Sequence, residues 1–251
     1  MNMNNTILLG LLCMISLYGC KEDSILRYDE TLDSVYFEGT TPGEQTSVQE
    51  INFAERIVRN DDIVLAGDSV NTLTIKLILR VMGWEADHDR KVSLNVRPAV
   101  PEDSRTLANH EISGPANLHM KLPAIIRQGR LRDTLVVTVE RPSQRQAYYA
   151  SVIEITAEQS THEFLQGPEE GLKQVFIVTD HYEKPSYWGS LLDYYYGEYS
   201  PEKHAFMVTV LKMTNFDNTR IVRENKQKLH EALERYNKEH PNAPKDFTFP
   251  K

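Results

Sequence analysis

Cysteine is almost missing from this chain: two in 251 residues, Cys13 and Cys20. Beyond residue 20 there can be no disulfide framework, zinc ribbon, CxxC redox pair or thiol nucleophile. Positive charge is also short, with 28 Lys and Arg against 36 Asp and Glu for a net charge of -8. That argues against nucleic acid as a partner, because phosphate recognition needs a basic face. Long apolar runs are lacking after residue 20, so nothing there reads as a membrane-spanning helix. The motifs GxSxG, HExxH, GxxxxGK[ST] and GxGxxG are absent too, so no catalytic residue, cofactor or metal site is expected. What is present is ordinary: 40% apolar and 25% charged residues, a composition that folds into a globular domain.

The one apolar run at the start, Thr6 to Leu17 (TILLGLLCMISL), carries no charge. It is too short for a bilayer, which takes about 20 apolar residues, and has the length of a signal-peptide core. It ends in Leu17-Tyr18-Gly19-Cys20, the form of a lipobox: an aliphatic residue three places before a Cys and a small residue next to it. The pattern predicts a leader over residues 1–19, cleavage before Cys20, acylation of its thiol, and a polar tether over residues 20–33. The segment MNMNN has no Lys or Arg, so the terminal amine supplies the leader's positive charge. Lys21-Glu22-Asp23 then resembles the export signal that takes Bacteroidetes lipoproteins to the outer face of the outer membrane. The same three residues would also suit a solvated linker. Acyl chains on Cys20 would hold the protein to the outer membrane, facing the cell exterior.

The rest of the chain reads first as β. Strands are expected at Ser34 to Glu38, Glu50 to Phe53, Ser69 to Met82, Lys91 to Val96, Leu131 to Glu140, Tyr148 to Ala157 and Gln174 to Thr179. Leu73, Ile75, Leu77, Leu79 and Val81 fall on one parity, as do Leu131, Leu135, Val137 and Val139. That period of two marks strands buried on one face. Gly83 with the charged loop Glu85 to Arg90 is expected to close a hairpin, and Arg127-Gln128-Gly129-Arg130 to open the strand at Leu131. Arg97 to Pro123, with Pro98, Pro101, Gly114 and Pro115, reads as a long connection holding a short strand near His110 to Ile112. Seven or so strands with no amphipathic helix between them predict a mostly β fold. The expected form is an antiparallel immunoglobulin-like β-sandwich over residues 34–181.

Residues 182–251 change character, and a C-terminal helical segment is expected there. Ser200-Pro201-Glu202 offers an N-cap, a proline at the first helical position and an early acid, which together start a helix. Its body, Ala205 to Met213, is nearly all apolar and should pack hard on the sandwich. A second helix over Thr219 to Glu239 carries Val222, Leu229, Leu233 and Tyr236 on one side and ends before Pro241. From Thr219 onward the charge is +3, against -11 for the remainder, a split that suits a solvated helix face or could orient a partner.

Residues with chemistry in them are scattered. Asp61-Asp62, Asp87-His88-Asp89 and Asp180-His181 have the right atoms for acid–base or metal work, but such residues also form turns. The densest feature is aromatic: Tyr182, Tyr187, Trp188, Tyr194, Tyr195, Tyr196 and Tyr199 fall within eighteen residues. Flat rings stack on sugars and grip peptides or protein surfaces. Tyr187, Trp188, Tyr194, Tyr195, Tyr196 and Tyr199 are therefore the expected ligand or partner contacts, unless they glue the helices to the sandwich. Trp84 beside its loop reads as cover for an edge strand.

Taken with Cys20-Lys21-Glu22-Asp23, several segments resemble a family of Bacteroidetes outer-membrane lipoproteins of unknown function encoded beside SusC/SusD-like transporter pairs. These are Ser34-Val35-Tyr36-Phe37, Val81-Met82-Gly83, Thr179-Asp180 leading to Pro185-x-x-Trp188, and above all Gly197-Glu198-Tyr199-Ser200-Pro201-Glu202-Lys203. The likeness covers nearly the whole chain after the leader. It departs at Tyr196, where the family usually has Leu. The resemblance implies a β-sandwich with a helical C-terminal part and no known catalytic activity. The implied role is accessory, at the surface, in uptake of an oligosaccharide or oligopeptide beside SusC/SusD-like subunits. The competing classes are a surface glycosidase or peptidase with unassigned residues, and a structural or adhesin-like module.

Overall fold

The computed structural model describes residues 33–39, 47–60, 63–156, 163–167 and 169–250. The expectations for Cys20, Lys21, Glu22, Asp23 and the pair Asp61-Asp62 lie outside the described residues. In chain order the strands are β1 (Ser34–Phe37), β2 (Ser47–Asn52), β3 (Ile57–Asn60), β4 (Ile63–Ala66), β5 (Thr72–Met82), β6 (Arg90–Val92) and β7 (Leu94–Pro98). There follow β8 (Ile112–Gly114), β9 (Leu118–Met120), β10 (Ala124–Ile126), β11 (Arg132–Glu140), β12 (Tyr148–Ile155), β13 (Leu165–Gln166) and β14 (Lys173–Thr179). Three helices close the chain: α1 (Ser190–Tyr196), α2 (Pro201–Leu211) and α3 (Thr219–Glu239).

Period-two patterning places the sandwich core. In β5 and β11 the pairs Ile75 with Val137 and Leu77 with Leu135 stand directly opposite each other, so one face of the ribbon is apolar. That face joins Val35 and Phe37 of β1 in a sheet ordered β13-β1-β5-β11-β9. A second sheet, β2-β14-β12-β7 with β8 also beside β12, contributes Ile51, Ile153, Ile155, Phe176 and Val178 to the same apolar cluster. Burial of this one cluster between two sheets is the main stabilising term, and the mostly β sandwich with C-terminal helices stands.

Its pairing departs from a purely antiparallel scheme at the margins. The pairs β5 with β11 and β12 with β14 are antiparallel, but β1 with β13, β2 with β14 and β8 with β12 run parallel. Each parallel neighbour is brought in from far along the chain, and a long connection can deliver a strand from either end. The hairpin expected across Gly83 to Arg90 does not form. Both edges of β5 are taken, by β1 and β11, so the chain leaves at Gly83 and β6 pairs with β10 instead. The single strand expected at Lys91 to Val96 breaks at the buried Ser93 into β6 and β7, which lie in different sheets.

The helix starts agree with their capping residues. The Ser200 Oγ accepts a hydrogen bond from the Lys203 amide at 3.1 Å, and Asn218 Oδ1 accepts from the Arg220 amide at 3.0 Å, satisfying donors left open in a first turn. On α3, Leu229 and Leu233 are buried. Helix α2 corrects an expectation: it does not lie on the sandwich core. Ala205, Phe206, Met207 and Val208 belong to a second apolar cluster with Trp188, Leu192, Tyr196, Phe216 and Leu229. Ala54 and Ala66, the latter in the β3–β4 hairpin, join it. Nothing in the sequence marks that hairpin, because its apolar runs, Ile57-Val58 and Ile63-Val64-Leu65-Ala66, are short.

The seam between hairpin and helix is backbone against backbone. Gly67 sits at φ +53, where a Cβ would fall 2.9 Å from the Ala205 carbonyl oxygen and press on the Thr209 side chain. The Thr209 hydroxyl meanwhile accepts from the Asp68 amide at 2.8 Å. Gly67→Ala therefore combines left-handed strain with a clash, and should cost about 2 kcal/mol or more, read as a lower urea midpoint with an unchanged slope.

Candidate functional site

One turn of helix sorts the aromatic segment into inside and outside. Leu192 and Tyr196 lie four apart on α1 and both are fully buried, while Tyr194, between them, points away and is 72% exposed. Trp188, only 2% exposed, donates from Nε1 to the Gly197 carbonyl at 3.3 Å. Trp188 and Tyr196 thus cannot touch a ligand or partner: they are the glue of the helical core, and burial pushes the Tyr196 hydroxyl well above its ordinary pKa. The Tyr199 hydroxyl donates to the Tyr182 carbonyl at 2.9 Å, and burial pushes its pKa up to about 12. Tyr187 is half-buried, its hydroxyl 3.5 Å from the Thr214 carbonyl. Tyr194 is the exposed ring of the set, with half-buried Tyr195 edge-on to it at 5.0 Å, while Tyr187 and Tyr199 keep part of their surface open.

Behind these rings lies a histidine that no sequence pattern marks. His204 on α2 has no exposed surface, and neither ring nitrogen makes a hydrogen bond. Tyr182, Trp188, Phe216 and Tyr199 surround it at 5.3, 5.7, 5.8 and 6.0 Å between ring centres. Its Nε2 stands 3.6 Å from Glu55 Oε1. Burial pushes the His204 pKa down to about 4, so the ring is neutral at neutral pH. Glu55 is held above the usual carboxylate range by burial and then by Glu183. The only sequence signal was one titratable residue flanking an apolar run, and Glu55 had none.

Asp180 and His181, weighed as acid–base residues, are taken up structurally. Asp180 is 2% exposed and accepts from Arg141 Nε at 3.0 Å and Nη2 at 2.7 Å, with Arg145 Nε at 3.3 Å. Arg141 Nη1 also donates to the Gly67 carbonyl at 2.7 Å, and Arg145 bonds Asp68. His181 is fixed by Asn52, whose Nδ2 donates to the His181 carbonyl and whose Oδ1 accepts from its amide. The Asp87-His88 pair is 2.9 Å apart on the surface. Among the described residues no three His, Cys, Asp or Glu side chains gather as a metal site.

The hollow that can hold a ligand lies elsewhere. The long connection after β7 folds back over the outer face of the second sheet, where Leu107 joins Ala150, Val152, Val175 and Ile177 in a third apolar cluster. Between loop and sheet is a half-open cavity of about 550 Å³, walled by Pro98, Val100, Pro101, Leu107, His110 and Pro115 among others. That volume lies within the roughly 300–1,000 Å³ of small-molecule sites. The start of the loop is pinned from behind. Arg97 Nη1 and Nη2 donate to the two carboxylate oxygens of buried Asp103 at 2.7 and 2.6 Å, and the Val100 amide donates to Oδ2 at 2.9 Å. Burial alone would raise the Asp103 pKa, but these donors hold it below the usual carboxylate range. His110 stacks on Tyr148 at 4.3 Å, and Tyr148 meets His181 at 5.9 Å, so an aromatic row leads away from the cavity. The prolines and the short strand near Ile112 are legible in the sequence; that the loop makes a wall depends on the sheet it folds over.

A family model described as Domain of unknown function (DUF4843) matches residues 53–213, a span that includes the cavity, Glu55, His204 and the whole aromatic segment. No curated protein matches the chain. Among solved structures, a Bacteroides ovatus protein of unknown function has 12% identity over 59% of this chain and 44% of its own, with a TM-score of 0.37. A second from the same organism has 7% identity over 60% and 47%, at 0.36. Bacteroides thetaiotamicron EndoBT-3987 with a Man5GlcNAc product has 12% identity over 54% and 28%, at 0.32. The chain thus spans less than half the length of each, and at these scores the likenesses carry no inference about activity.

Proposed function

Since the chain belongs to the DUF4843 family, whose function is unknown, we propose from its own residues that it is a non-enzymatic, lipid-anchored surface protein that binds and presents oligopeptide. It would serve as an accessory subunit of a SusC/SusD-like outer-membrane uptake complex. The cavity under the Ala99–Pro115 loop carries this reading. Its walls of proline, valine and leucine offer apolar contact and few hydrogen-bonding groups, which suits the side chain of a peptide better than the hydroxyl-rich surface of a sugar. The anchor rests on the lipobox at Cys20, and the transporter on the resemblance already described. An anchored protein is confined to the membrane plane, so a modest docking surface would suffice to keep it beside its transporter.

Two measurements test this. Solubilised outer membranes carrying a C-terminally tagged chain should yield SusC/SusD-like subunits in stoichiometric amount; recovery of the chain alone would sink the accessory role. Titration calorimetry with trileucine should give a saturable heat that Ala108→Trp removes, since Ala108 is an exposed residue of the cavity wall and an indole there fills the space without touching the core. Saturable heat with a malto-oligosaccharide and none with trileucine would move the cargo to glycan.

A further inference from the structure

Three large apolar side chains stand in the open at one corner of the sandwich. Ser34 at the start of β1 has Met82 of β5 opposite it on one side and Leu165 of β13 on the other. Residues in register share a face, so both project outward with Ser34; they are 42% and 44% exposed. Trp84, two residues past Met82, is 72% exposed. Its position is built, because the Asp33 carboxylate accepts from the Trp84 amide at 3.1 Å and from Arg90 Nη1 at 2.5 Å. Arg90 is itself buried and packs over Phe164 at 4.7 Å. An exposed indole on a braced turn beside exposed Met and Leu is unusual on a folded surface. Neighbouring charges are mixed, with Glu85 and Asp89 on one loop and Arg127 and Arg130 on the other, tied by the Gly129 amide to the Ala86 carbonyl at 2.9 Å.

What covers this corner is indicated by where the chain arrives. Asp33 is the first described residue, and Cys20 stands thirteen residues before it, a tether that spans no more than about 45 Å. An acylated Cys20 would therefore hold Asp33, and the corner around it, within that distance of the lipid. Trp is the side chain best suited to a membrane–water boundary, with an apolar body and a polar N–H. We propose that Trp84, Met82 and Leu165 form a lipid-facing patch that seats the sandwich on the outer-membrane surface beside its own anchor. The inference rests on the lipid-anchor reading above. With mixed charge around it, the contact is carried by apolar burial, and it fixes the orientation of a domain that the tether alone would leave free to turn.

The test uses the full acylated chain in vesicles of phosphatidylethanolamine and phosphatidylglycerol doped with brominated phosphatidylcholine, comparing wild type with Trp84→Phe. Trp188 is buried and gives a constant background, so the difference spectrum reports Trp84. The expected result is a blue shift and bromine quenching in wild type, absent from Trp84→Phe, and unchanged by added salt, which screens charge but not apolar contact. Co-flotation with vesicles while Trp84 keeps a water-exposed, unquenched spectrum would overturn the patch and leave the anchor standing. Failure to co-float would overturn both. A blue shift already present before vesicles are added assigns the patch to the tether if it is independent of protein concentration, and to a second copy if it grows with concentration; either rejects the lipid surface.

Discussion

Acidification from about pH 6.5 to pH 4 should loosen the helical core, and His204→Phe should remove most of that sensitivity. In the unfolded chain His204 takes up a proton near pH 6.5, whereas in the folded chain burial delays uptake until about pH 4. Above pH 6.5 the ring is neutral in both states and costs nothing. As pH falls through this window the unfolded state binds the proton first, so stability falls. A displacement of that size corresponds to about 3 kcal/mol at the acid end. One acid faces the ring from outside the helix, Glu55 from the turn after β2, at 3.6 Å, and Glu183 acts on Glu55 in turn. The Glu55 pKa is raised, so the folded state gains some stability as that carboxyl protonates, which offsets part of the loss. The other groups around the imidazole, Tyr182, Trp188, Tyr199 and Phe216, do not titrate in this range. Urea unfolding of both proteins across the window isolates the effect. Wild type and His204→Phe losing stability in parallel would show that His204 finds a proton-accepting partner when charged.

Asp180→Ala should be the most damaging single change at a charged position, at about 3–5 kcal/mol, or a fall in Tm of roughly 10 °C. Arg141 is only 10% exposed at its side chain, and Asp180 takes two of its hydrogen bonds. Removing the acid leaves a buried guanidinium held only by Asp68 and by the Gly67 and Val70 carbonyls, and it takes from Arg145 one of its two carboxylate partners, leaving Asp68. Because the penalty comes from the orphaned charge, the double variant Asp180→Leu with Arg141→Met should recover much of the loss. Failure of the pair to recover would mean that the Arg141 contacts to the Gly67 and Val70 carbonyls, which join the sandwich to the hairpin seam, matter more than charge pairing.

Both changes fall where linear reading was weakest. Asp180 stands at a strand end with the atoms for chemistry, but the structure uses it for pairing: its partners Arg141 and Arg145, which Asp68 shares, lie far from it in the chain and have no sequence periodicity. His204 sits one residue before an apolar run whose first four residues are buried, and nothing in the run itself says that the helical cluster, not the sandwich, covers it. The expected contacts Trp188 and Tyr196 show the same limit. Composition can tell that seven rings are close in sequence, but the direction each one points depends on where α1 starts, and a seven-residue helix with no side-chain cap at Gly189 leaves little signal of its own.

What the residues determined unaided is what local physics dictates. The alternation in β5 and β11 requires a one-sided sheet whatever lies beyond it, because successive side chains point to opposite faces. Ser200-Pro201 and Asn218 start α2 and α3 because open amides in a first turn need acceptors close by. The apolar run and lipobox before Lys21 set the expectation of an anchored chain from covalent and transfer chemistry alone. Tertiary structure decided the rest: β6 and β7 in different sheets, β3–β4 covering the helices, and the Ala99–Pro115 loop folding back to leave a cavity. Each of those depends on which edges and apolar faces are still open when distant segments meet. Nearest-neighbour sequence does not encode such a competition, and only the packed chain resolves it.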